Sequence, residues 1–353
     1  MIKYIGLFII FMVLFPVVSL VGIGKKEKAG ESLLSKDDSR YIRGFATCGV
    51  FLAHTESYME EFGMPYVSIM RPFSIMGGVG VLLFFFVSGY GLWKAYSCDM
   101  DCIKYWKKRI FNTYLPAVII ETVFAVESLS RLENWSVSSF FYAVFISCWF
   151  IDVIMIEYVI FFLSYLVSKL FHNSKTYMLI IIYITDILIA VLFLLCGFEA
   201  RWYNGLLLFP VGMSVALHEN FLMRAIRKQW WAWFSAFLTI FLGLGIVFCL
   251  NKGALWADFI KTLSGVALSL LFAIIMQKLK LGNKAMFWIG DRSLYVYLVH
   301  IGFLEIVFYY TRAHGELDFM PYAIPVLLLV SIAVSGIFEK IISFAFSKVR
   351  KSS

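Results

Sequence analysis

The sequence predicts an all-α fold: a polytopic membrane helix bundle of about 10–11 transmembrane helices, amino terminus outside and carboxyl terminus cytoplasmic. Three observations carry this prediction. Of 353 residues, 61% are hydrophobic and only 15% charged, whereas a soluble domain is roughly half apolar and a quarter charged. Apolar runs near the roughly 20 residues that a spanning helix needs recur along the chain. The cations collect in alternate loops, as the positive-inside rule requires.

The runs are 4–23, 44–60, 73–96, 113–129, 141–168, 177–196, 204–218, 230–250, 255–276, 286–310 and 322–346. The first resembles a secretory signal in having Lys3 before its apolar core. That core is long for a signal, so a retained helix is expected. The run 141–168 is long for one span and is expected to include an interfacial lead-in. The predicted organisation is an extra helix over 1–24, a cytoplasmic linker over 25–39, a membrane domain over 40–347 and a basic tail over 348–353.

One set of loops holds Lys25, Lys26, Lys28, Lys36 and Arg40, then Lys104 to Arg109, Lys169, Lys175, Arg224 to Lys228, Lys278 to Lys284 and Lys348 to Lys351. The opposite loops hold only Lys3, Arg71, Arg131, Arg201, Lys252 and Arg312. The net charge of +8 is therefore topological and gives no support to a nucleic-acid partner. The six cysteines are scattered and lie mostly in apolar runs, which suits buried thiols better than a disulfide framework. Cys98 and Cys102 in "CDMDC" lack a matching ligand pair, so no metal is expected.

Within the spans, "RGFATCGVFLAH" sets Arg43 eleven residues before His54. An ionisable group inside a span is by default a functional hypothesis. Eleven residues rise about 16 Å and end about 20° from three full turns. The two side chains thus share a face without touching. Such a pair suits an elongated ligand with its anionic end at Arg43 and its reactive end at His54, whose imidazole accepts a proton near neutral pH. Membrane anchoring for Arg43 and packing for His54 is the plainer alternative, and spacing alone does not choose between them.

"GGVGVLLFFFVSGYG", with Ser88 among its glycines, lets helix backbones approach closely and leaves room for a thin channel. "YWKKRIFNTYLP" offers Lys108 and Arg109 either to phosphate or to membrane anchoring. In "WIGDRSLYVYLVH", Gly290, Ser293, Tyr297 and His300 fall on one helical face, expected to look into the bundle. Asp291 and Arg292 are expected to pair with charges on other helices. "CWFIDVIMIEY" carries Asp152 and Glu157, with Trp149 and Phe150 expected in an outer aromatic belt. Glu56 lies about 200° around the helix from His54, so any carboxylate orienting His54 is expected from another helix, with Asp152, Glu157 and Asp291 as candidates.

Taken in order, these five segments resemble the membrane acyltransferase 3 family of bacterial O-acyltransferases over roughly residues 40–346. Arg43 and His54 match its opening pattern of arginine, ten residues and histidine, and "IGDRSLYVYLVH" its late Ser-Tyr-x-x-Tyr-Leu-x-His type of signature. Asn112 departs from the family's frequent second arginine, which puts a two-arginine clamp in doubt. The span 4–23 looks like an addition to the family core.

The resemblance implies acyl transfer, commonly acetyl from acetyl-CoA as co-substrate, to a hydroxyl of a surface polysaccharide or its lipid-linked precursor. It implies His54 as general base, with Arg43, Lys108 and Arg109 holding acyl-CoA. Ser88, Ser293, Tyr297 and His300 are implied substrate-binding residues. The implied setting is the bilayer of a bacterial cytoplasmic (inner) membrane, with a glycan or glycolipid acceptor, no metal and no nucleic acid. A glycan transporter or flippase is the main alternative, although no internal symmetry or pair of broken helices supports it. Short outer loops weigh against a polysaccharide polymerase. A degenerate member acting as a scaffold is a further alternative that Asn112 leaves open.

Overall fold

The computed structural model describes residues 15–26, 31–64, 67–96, 100–131, 136–146, 148–172, 174–251, 254–315 and 320–347. Most of the expected first span, Cys98 and the basic tail lie outside the described residues. The chain forms α1 (Phe15–Leu20), β1 (Gly24–Lys25), α2 (Lys36–Glu61), α3 (Ser74–Lys94) and α4 (Cys102–Arg109). A π-helical turn leads from α4 to α5 (Leu115–Ser130), followed by α6 (Val137–Phe145), α7 (Trp149–Ser168), α8 (Lys175–Leu195), α9 (Leu208–Leu217) and α10 (Glu219–Lys228). Then come α11 (Trp230–Leu250), α12 (Leu255–Ile275), β2 (Leu279–Lys280), α13 (Lys284–Asp291), α14 (Ser293–His314) and α15 (Met320–Ala345).

Among the described residues, eight helices are long and apolar enough to cross a membrane. Helix α2 is long enough as well, with 26 residues, but its charged end turns dilute its apolar character. It begins at a capping box, where Ser35 and Asp38 satisfy each other's backbone amides. The expected span 204–218 is corrected: α9 has 10 residues, rising about 15 Å, too short to cross alone. It is held against α3 inside the bundle instead. The run 141–168 divides into α6 and α7, and the run 286–310 into α13 and α14.

Two close crossings position the site. A Cβ on Gly89 would strike the Phe209 carbonyl, and one on Gly212 the Phe86 carbonyl, so α3 and α9 touch backbone to backbone. Gly44 likewise meets the Met286 backbone and Gly290 the Arg40 backbone, seating α13 against α2. A core of Phe85, Phe86, Phe161 and Phe209 fills the space between α3, α7 and α9. The outer surface is apolar, with Leu195, Leu250 and Phe344 exposed. Cys196 and Cys249 are exposed on this face, correcting the expectation of buried thiols: a thiol is apolar enough for lipid. The five described cysteines are free.

The segment expected as a linker is packed in its described part. β1 pairs antiparallel with β2, Leu33 and Leu34 are buried, and the Gln277 side-chain amide donates to the Leu33 carbonyl at 2.8 Å. Cations gather at this β1/β2 end, where Lys26 pairs with Asp38 at 3.0 Å and Lys94 with Glu219. At the opposite end Arg71, Arg131 and Arg201 all meet acids.

Candidate functional site

Arg43 and His54 lie on one continuous helix, α2, so the separation of about 16 Å along its axis holds. At the Arg43 end, two cavities meet. The outer one, about 580 Å³, is lined by Tyr96, Lys104, Lys107, Lys108, Arg109 and Asn112, among others. The inner one, about 230 Å³, includes Arg43, Ser88, Asn112, Thr113, Ser293 and Tyr297 in its walls. Asn112 is in the wall of both, so a cationic cavity and a partly polar one lie side by side.

The local reason lies in the π-turn Ile110–Tyr114, where the Leu115 amide donates back to the Ile110 carbonyl. Pro116 has no N–H to offer Asn112 and crowds its carbonyl. The helix widens by one residue, a device that recurs at functional sites, and Asn112 and Thr113 line the inner cavity. The proline was the sequence signal for this turn.

Arg109 stacks over Tyr105 at 4.2 Å and over Tyr158 at 5.1 Å. Tyr105 Oη donates to the Tyr158 carbonyl at 2.8 Å. Tyr158 is also an electrostatic neighbour of Arg43, and both line the inner cavity. The Nε atoms of Arg43 and Arg109 are buried and without a hydrogen-bond partner. Guanidinium groups in the walls of the two cavities suit an anionic or carbonyl-bearing ligand. Asp291 lies in the inner wall but is committed to Arg40 through both carboxylate oxygens. Its neighbour Arg292 pairs with Glu339 at 2.7 Å. Both residues therefore pair across helices as expected.

His54 does not border either cavity. Tyr297 stands between: its ring packs 5.7 Å from that of His300, and His300 Nε2 lies 3.0 Å from His54 Nδ1. His300 Nδ1 lies 3.0 Å from the Val296 carbonyl, and the residue is 1% exposed. Both His300 ring nitrogens thus have protein partners, and His300 is the contact of His54. Two of the three carboxylates considered for that place are engaged elsewhere. Asp291 serves Arg40, and Glu157 has Asp186 as its electrostatic neighbour, both fully buried. Phe150 is also corrected: it is buried against Phe85 at 5.3 Å and Tyr297 at 5.2 Å, because it faces the bundle rather than the interface.

Two neighbours of these residues carry no signal of their own in the sequence. Tyr158 is one, hidden in an apolar run. Arg201 is the other, an electrostatic neighbour of His54 and Tyr297 from the opposite end, half-exposed and paired with Glu199 at 2.8 Å. In the sequence it stands only among the few cations of those loops. Among the described residues no cluster of metal-ligating side chains occurs.

The family model described as an acyltransferase domain, acyltransferase 3, matches residues 37–340, from the first turn of α2 into the second half of α15. No curated protein and no solved structure matches the chain.

Proposed function

The chain belongs to the acyltransferase 3 family of membrane acyltransferases, and from that premise we propose that it moves an acetyl group from acetyl-CoA to a hydroxyl of a surface glycan or its lipid-linked precursor. The observation that carries this reading is the pair of adjacent cavities that share Asn112 in their walls. Their order, cationic rim and then narrow polar interior, matches a donor with phosphates at one end and a slender arm at the other. Lys104, Lys107, Lys108 and Arg109 receive the phosphates. Arg43 offers its unpartnered Nε–H to the arm, and Ser88 and Ser293 offer hydroxyls beside it.

The cation-rich β1/β2 end is assigned to the cytoplasm by the positive-inside rule, placing the rim on the side that supplies acyl-CoA. The membrane is then the bacterial cytoplasmic membrane. Tyr297 closes the inner cavity toward the histidines, so its rotation admits the thioester. His54 takes the proton of the acceptor hydroxyl while that oxygen bonds to the thioester carbonyl carbon. The carbon–sulfur bond then breaks, and the thiolate leaves with the proton returned by His54. A thioester is already activated, so the residues named suffice for transfer. Arg201, at the other end, marks the approach of the acceptor.

The test is the O-acetyl content of surface glycan, read by NMR, in strains carrying the intact chain, His54→Ala or Arg43→Ala. Both variants are expected to insert normally and to lose one specific O-acetyl signal. An unchanged signal with His54→Ala refutes the base assignment. Translocation of labelled glycolipid that survives His54→Ala would favour transport instead.

A further inference from the structure

We propose that His300 is a positioning residue that fixes which nitrogen of His54 carries the proton, leaving the His54 Nε2 lone pair as the base. The inference rests on the reading of His54 as general base and adds the group that orients it.

The argument runs along a single chain of hydrogen bonds. A carbonyl oxygen only accepts, so the 3.0 Å contact to Val296 puts the His300 proton on Nδ1. A neutral His300 then presents a lone pair at Nε2. That lone pair faces His54 Nδ1 at 3.0 Å, which must carry a hydrogen, since two lone pairs at this distance repel. The His54 proton is therefore on Nδ1 and Nε2 is left free to accept. The ring planes are 14° apart with centroids separated by 5.1 Å, so the shared hydrogen lies near both planes, as a directed bond requires.

Val296 is four residues before His300 on α14, so a single helix supplies both the anchoring carbonyl and the imidazole it holds. Phe51 and Tyr297 pack on the His300 ring at 6.0 and 5.7 Å and limit its rotation. Among the described residues no carboxylate hydrogen-bonds to either ring, so a backbone carbonyl relayed through a second imidazole takes the orienting place. When His54 becomes protonated, its Nδ1–H remains on the His300 lone pair, and no second proton needs to move.

Membrane vesicles containing the full-length chain, with labelled acetyl-CoA as donor probe and the native glycan as acceptor, test this through two substitutions. His300→Phe removes the acceptor, whereas His300→Gln places an amide oxygen near the former Nε2. His300→Phe is expected to lower kcat by about 10²-fold or more with KM for acetyl-CoA changed less than about twofold. His300→Gln is expected to recover at least about a tenth of the rate. Full kcat in His300→Phe, or Gln no better than Phe with both folded, overturns the assignment. Nitrogen NMR of histidine-labelled wild-type chain supplies a readout that no variant's folding can obscure: His54 protonated at Nδ1 supports it, and His54 protonated at Nε2 overturns it. Loss of activity in His54→Ala with full activity in His300→Phe refutes only the positioning role, whereas an active His54→Ala refutes the base itself.

Discussion

Replacing Arg43 by glutamine separates a ligand-binding arginine from a structural one. Arg43 Nε is buried and makes no hydrogen bond within the protein, and the nearby Asp291 already serves Arg40. Replacing the guanidinium by an amide leaves Asp291 paired with Arg40 and is expected to cost the fold little. The same change deletes a charge-assisted bond to the donor, worth about 1.5–3 kcal/mol, or about 10- to 150-fold in affinity at 1.4 kcal/mol per decade. Purified protein in detergent gives both quantities, acetyl-CoA Kd by calorimetry and Tm by thermal unfolding. The expected variant binds acetyl-CoA more weakly and melts close to the parent. A fall in Tm with unchanged Kd would show that Arg43 is a structural anchor and would refute the reasoning.

Arg201→Gln is expected to raise the KM for the glycan acceptor several-fold while leaving the acetyl-CoA Kd unchanged, as separate titrations of the two substrates would show. Gly89→Val forces a branched side chain into the Phe209 carbonyl and is expected to cost about 1–3 kcal/mol or more, read as lost monodisperse yield and lower Tm. Glu219, on α10 outside the spans, feels burial that raises its pKa, yet bonds from Lys94 and Tyr90 outweigh this and hold it below the ordinary value. A depressed carboxylate contributes stability above its unfolded pKa of about 4.3 and loses it as pH falls through the folded value. Tm should thus drop between about pH 5 and pH 3 more steeply in the parent than in Glu219→Gln.

The spans were legible because lipid demands long apolar runs, and composition alone records them. What periodicity missed was α9: the stretch 204–218 is as apolar as a span, but its glycines lock it short against α3. Apolarity reports contact with hydrocarbon, whether lipid or protein, and cannot tell the two apart. The site was legible where one helix carries both partners, as with Arg43 and His54 on α2 or Ser293, Tyr297 and His300 on α14. Helical spacing fixes such relations without knowledge of neighbours.

It was not legible where function depends on how helices meet. The eleven-residue spacing suggested a tunnel joining arginine to histidine, whereas Tyr297 interrupts it. The search for a partner to His54 weighed carboxylates, because a carboxylate is the common orienter of a catalytic imidazole. The residue 246 positions away that meets it is another imidazole, itself tied to a backbone carbonyl that no sequence pattern advertises. A carbonyl belongs to every residue, so its selection as an anchor is written only in the packing of α2 on α14. The stripe of α14 has one face, but a face does not say which of its members meets a ligand and which meets a neighbouring helix. The stripe divides at Tyr297, with Ser293 and Tyr297 on the cavity and His300 one turn deeper on His54. In the proposed reading, that division has one short stretch of α14 serve the donor at its start and the base at its middle.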